Sequence, residues 1–171
     1  MEPIARAGGS GGGSGGGTGS GSRPGGTPAI GGPAPCLASP VALSGRRLGP
    51  FELGMNRSTA LLRGGPPGRK RKSALTWCVR GSGRLAVAFQ GGRAALLATS
   101  TRALTGGRGM RPGKRLARRA ARSLGGGLVL VRGRNTSLVA SVRRGKVRWT
   151  GIVAGHPKPR VIRALAKRTG L

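Results

Sequence analysis

Apolar residues gather in three short runs near the end of the chain, Leu128–Val131, Ser137–Val142 and Val147–Ala154, separated by RGRN and RRGK. Short apolar runs punctuated by Gly-containing turns predict antiparallel strands joined as a meander. A fainter copy lies upstream. Leu75–Val79, Leu85–Phe89 and Arg93–Thr99 are separated by RGSG and QGG, and Leu85, Val87 and Phe89 alternate with smaller residues at the period of a half-buried strand.

Helical spacing precedes each meander. NRSTALLR offers Asn56 or Ser58 as N-cap and Leu61 and Leu62 as a buried face, and GGPPG at 64–68 stops it. Downstream, Pro112 suits a first helical turn, and Leu116, Ala120 and Leu124 line one face with Arg115, Arg118, Arg119 and Arg122 opposite, before GGG at 125–127. A last amphipathic helix is expected over 159–168, with Val161, Ile162 and Leu165 on one side and Arg160, Arg163 and Lys167 on the other.

Arg80 and Gly81 match Arg132 and Gly133 at an offset of 52, and Gly92 matches Gly145 at 53. The expected fold is therefore α+β: two tandem repeats, about 46–102 and 108–156, each a short helix plus a three-stranded antiparallel meander. They make one domain over 35–171, closed by the last helix. Residues 1–34 are Gly, Ser and Pro with few apolar groups, which predicts a disordered linker. That stretch shows no secretory signal pattern, and no run approaches the ~18 apolar residues of a membrane span.

Charge changes the picture most. The 171 residues carry 32 Lys and Arg, 26 of them Arg, against two acids, Glu2 and Glu52, for a formal charge of +30. GC-rich codon usage accounts for abundant Arg, Gly and Ala but not for the absence of Asp. Such a surface attracts polyanions of any kind, namely nucleic acid, acidic cell-wall polymer or anionic membrane. Arg69, Lys70, Arg71 and Lys72 form one basic run, and Arg115, Arg118, Arg119 and Arg122 a second candidate patch. The first also fits a solvated loop.

Catalytic inventory is thin. No carboxylate pair is available, and a Ser, His, Asp triad would have to use His156, in the turn GHPKP, with Glu52 as its orienting acid. PGKR at 112–115 lacks the remaining glycine and the hydroxyl residue of a phosphate-binding loop. Neither a metal site nor a cofactor motif is expected, and the chain reads as a non-enzyme. Cys36 and Cys78 suit a disulfide better than a metal site, two unrelated buried thiols being the other reading. Only four aromatics occur, Phe51, Trp77, Phe89 and Trp149, too few for a base-stacking platform.

RLGPFELGM, TWCVRGSGRLAVAF, GMRPGKRLARRA and RGRNTSLVASVRRGKVRWTGIV, with a closing LAKRTGL, together resemble the Arg-rich C-terminal repeat modules of secreted or envelope proteins of high-GC bacteria. Those modules are distantly similar to the repeats of beta-lactamase-inhibitor-type proteins and of the small lipoprotein of outer-membrane barrel assembly. The resemblance spans about residues 36–171. It implies helices packed on antiparallel sheet, a disulfide between Cys36 and Cys78, and adhesion or partner binding without catalysis. The expected function is a basic binding module, extracellular or in the cell envelope, associated with an anionic polymer or an acidic protein. The alternative is a cytoplasmic nucleic-acid-associated protein of nucleoid or ribosomal type.

Overall fold

The computed structural model describes residues 35–116 and 121–171. The linker expected over 1–34 lies outside the described residues, as do Ala117–Ala120 from the expected second helix, Arg118 and Arg119 among them.

The described chain is mostly β. A small sheet forms first from β1 (Val41–Ser44), β2 (Arg47–Leu48) and β3 (Phe51–Glu52). Helix α1 (Arg57–Gly64) follows, then β4 (Arg69–Arg71), β5 (Ala74–Cys78), β6 (Arg84–Gln90) and β7 (Arg93–Thr99). After β8 (Leu104–Thr105) come β9 (Arg122–Gly125), β10 (Leu128–Arg132), β11 (Thr136–Arg143), β12 (Lys146–Ala154) and helix α2 (Pro159–Thr169). Eight strands make one antiparallel sheet in the order β4-β5-β6-β7-β12-β11-β10-β9, and β3-β2-β1-β8 make the other, with β1 and β8 parallel.

This corrects the expected pair of helix-plus-meander repeats. Each half of the large sheet holds four strands in series, and the halves meet where β7 pairs with β12. No helix covers the described part of 112–124. Gly113 takes φ +85, the backbone of 113–116 runs beside the start of β12, and Arg122–Gly125 is a strand paired with β10. An amphipathic pattern loses there to backbone partners already aligned on neighbouring strands, because tertiary pairing outweighs a propensity of tenths of a kcal/mol per residue. The basic run at 69–71, read as a loop, is the edge strand β4. Leu62, expected on a buried face, is 86% exposed, and Ala60 is buried in its place.

The two faces of the large sheet are built from different sizes of side chain. One row across it reads Leu75, Val87, Leu97, Ile152, Leu138, Val131, one residue per strand from β5 to β10. These large residues pack under the small sheet and α1, with Leu48, Phe51, Leu53 and Leu104. The next row, on the opposite face, reads Thr76, Ala86, Ala98, Gly151, Val139, Leu130. Its small centre lets α2 lie close to the sheet, and Ile162 and Leu165 are buried there. Edge to edge, eight flat strands would span roughly 34 Å, against about 16 Å for an eleven-residue helix. Yet a Cβ at Gly125 on β9 would lie 3.7 Å from Arg163, and one at Gly170 3.2 Å from Arg71 on β4. The long arms of Arg163 and Arg71 thus link α2 and its C-cap to both edges of the sheet.

Cys36 and Cys78 form a disulfide. It fastens the start of the described chain to the end of β5, where Leu37 N–H donates to the Cys78 carbonyl and Arg80 N–H to that of Leu37, both at 2.9 Å.

Candidate anion-binding cleft

The β11–β12 hairpin turns through Arg144 and Gly145, at φ +51 and +73, between the paired residues Arg143 and Lys146. A two-residue turn with both φ positive favours Asn-Gly or Gly-Gly, and the β6–β7 hairpin does use Gly91 and Gly92 at φ +56 and +75. An arginine in the left-handed region costs about 1–2 kcal/mol. At the β11–β12 tip the chain bears that cost and carries a guanidinium outward.

Past the turn the pairing with β11 shifts register, Val147 facing Val142 and Trp149 facing Ser141, which leaves Arg148 as the extra residue of a bulge; Lys146 and Arg148 are exposed while Val147 and Trp149 are buried. This first part of β12 does not pair with β7. Its partner is the incoming segment 113–116: Gly113 N–H donates to the Val147 carbonyl at 2.8 Å and Val147 N–H to that of Lys114 at 2.9 Å. Arg102, just beyond β7, crosses Gly113 so closely that a Cβ there would stand 3.3 Å from its Nε. The result is an open cleft of about 720 Å³ whose wall holds Arg102, Arg143, Arg144, Lys146 and Arg148. Arg115 bridges to Lys146 beside it.

No hydrogen bond or ion pair within the described residues engages these five cations. Other arginines are used internally. Arg57 donates to the carbonyls of Arg71 and Lys72, both at 3.0 Å, Arg93 to Gly54 and Arg168 to Phe89. Glu52, the one acidic side chain among the described residues, pairs with Arg47 at 3.1 Å. Clustered like charges repel by up to about 1 kcal/mol per close pair even in water. A ligand bringing several negative charges would relieve that repulsion.

The residues singled out from sequence are scattered by the fold. Arg69, Lys70 and Arg71 are exposed along edge strand β4, where charge discourages pairing with another chain, and Lys72 sits exposed in the turn after it. Arg122 is on the opposite edge strand, separated from β12 by β10 and β11. Among the described residues of the second candidate patch, Arg115 lies beside the cleft, its backbone bridged to that of Lys146. From sequence, RRGK reads as a plain turn. The available signal was an arginine where a two-residue hairpin wants Asn or Gly, followed by cations at alternate positions.

His156 Nδ1 is 3.2 Å from Ser137 Oγ, but the Ser137 hydroxyl is buried and donates to the Gly155 carbonyl at 2.7 Å. That pair holds the chain leaving β12. The disulfide takes both sulfurs out of any ligand set, and no group of three or more metal-ligating side chains occurs among the described residues. All four aromatics are buried. No helix among the described residues is long and apolar enough to cross a membrane. No family model, curated protein or solved structure matches the chain.

Proposed function

We propose that this protein is a non-catalytic polyanion-binding module that works in an oxidising compartment, at the cell envelope or outside the cell, holding an anionic polymer or an acidic protein in the cleft. The observation that carries this reading is the set of five cations, Arg102, Arg143, Arg144, Lys146 and Arg148, gathered at one mouth without a carboxylate partner among the described residues. Burial of every aromatic favours a charge-reading site over one that stacks bases. The Cys36–Cys78 disulfide favours an oxidising setting. Tethering to the envelope by a module of the kind found in high-GC bacteria fits both features.

The test must separate the cleft from the field of the whole molecule, since +30 alone binds polyanions at low salt. The triple variant R143A/R144A/K146A and a control of equal charge on α2, R160A/R163A/K167A, would be titrated with polyphosphate, a polyuronate and single-stranded DNA at 150 mM salt. A cleft that binds shows a much larger loss in the first variant, with the polyphosphate or polyuronate preferred over DNA. Equal losses in both variants would reduce the binding to overall charge. A preference for DNA would move the protein to the nucleic-acid-associated class.

A further inference from the structure

A second cavity lies at the opposite end of β12 from the cationic cleft. It is bounded by three turns: Gly45 between β1 and β2, Gly107 and Arg108 after β8, and Gly133–Asn135 between β10 and β11. Its volume is about 290 Å³, at the lower limit for small-molecule sites.

Its floor and its mouth differ in chemistry. The floor is apolar, formed by Leu43 of the small sheet and by Val131, Leu138 and Ile152, three consecutive members of the large-residue row. Leu138 and Ile152 are buried, whereas Val131 and Leu43 keep part of their surface open to the cavity. The mouth holds Arg108 and Arg134, both exposed and neither hydrogen-bonded nor ion-paired within the described residues. Arg108 has φ +45 and sits between Gly107 and Gly109 at φ +82 and +81, so the loop places an arginine where a glycine would be at less cost. At the side of the entrance, Thr136 Oγ1 donates to the Gly45 carbonyl at 3.4 Å, tying the β1–β2 turn to β11.

We infer that this cavity binds a small amphiphilic anion, with a short apolar tail on Leu138 and Ile152 and a carboxylate or similar head between Arg108 and Arg134. Apolar area removed from water supplies the tail's affinity, and a charge-assisted contact fixes the head at the mouth. Neither chemical half alone matches the site: an inorganic anion leaves the floor wet, and a neutral alkane leaves two guanidinium groups without a partner. The cavity is too small for a diacyl lipid. The inference does not rest on the polyanion reading, because no residue is shared between the two sites.

The full-length chain, methyl-labelled, would be titrated with octanoate at pH 7 and 150 mM salt, with octanol and acetate as controls. The expected result is saturable movement of the Val131, Leu138 and Ile152 methyl signals with octanoate, at least about tenfold weaker with octanol and absent with acetate. Replacing both Arg108 and Arg134 by alanine should weaken octanoate about tenfold or more and leave octanol unchanged. V131F should block both ligands by filling the floor. Because the arginines are exposed, their variant tests the site even if V131F does not fold. Octanol binding as tightly as octanoate, an octanoate effect insensitive to the two arginines, or methyl signals that never move would each overturn the inference.

Discussion

Trp77 Nε1 donates to the carbonyl of Gly65 at 3.1 Å, tying β5, the strand next to one edge of the large sheet, to the residue that caps α1. The same indole packs on Phe51 with ring centroids 4.4 Å apart, so one side chain joins β5, β3 and the end of α1. Gly64 lies in the angle between the two rings, where a Cβ would come within 2.6 Å of Phe51 Cζ and 2.8 Å of Trp77 Cε2.

Gly64→Ala therefore sets two effects against each other. Helix propensity favours alanine by about 1 kcal/mol, and overpacking two buried rings costs about 1–3 kcal/mol. The expected outcome is net destabilisation of about 1 kcal/mol in chemical denaturation. Trp77→Phe, which removes the donor and leaves the Gly65 carbonyl short of a partner, should cost about 2–3 kcal/mol. A neutral or stabilising Gly64→Ala would show that the rings move aside freely.

Gly151 is the place where the halves of the large sheet meet. It faces Ala98 across β7 and Val139 across β11, and a Cβ on it would run into the Leu97 carbonyl and the Ala98 backbone. Gly151→Ala is expected to destabilise by about 1–3 kcal/mol. Amide exchange should quicken first in β7 and β12, with the outer hairpins protected longer. Uniform loss of protection would mean that the seam is not the weak point.

Reduction of the disulfide opens a loop of 42 residues in sequence, which the chain-entropy account values at about 4 kcal/mol. C36S/C78S should unfold at correspondingly lower denaturant while keeping its β-rich circular dichroism. Protein isolated from its native cells should gain a pair of alkylations only after reduction. Two thiols that alkylate without reduction would remove the support for an oxidising compartment.

Cleft arginines that serve a ligand should not serve stability. R143A/R144A/K146A removes three cations that lack any internal partner among the described residues, while alanine at 144 keeps the positive φ that glycine there would accommodate. Stability is expected to stay level or rise by up to about 1 kcal/mol at low salt, the gain shrinking as salt screens the repulsion. A marked loss of stability would assign these side chains a structural role.

Leu62 marks a limit of periodicity. Leu62→Gln should change stability by less than about 0.5 kcal/mol, because the side chain is 86% exposed. A larger loss would place Leu62 against something outside the described residues.

The local pattern of the chain determined six strands close to where they stand, β5, β6, β7, β10, β11 and β12, together with α1, α2 and the glycine turns between hairpin partners. Those elements are legible because each is long enough to show a period, and because hairpin pairing is set by the turn that joins the strands. The tertiary structure alone decided the β7–β12 seam, the parallel contact of β1 with β8, and the backbone pairing of 113–116 and 122–125 where a helix was expected. Strands of two to four residues such as β2, β8 and β9 carry no readable period, and β8 pairs far back along the chain, Leu104 against Val41. The cationic cleft belongs to the second class for the same reason: Arg102 and Arg148 become neighbours only once the chain ends of β7 and β12 are side by side. Charge was visible in the composition, but its gathering at one mouth followed from the pairing.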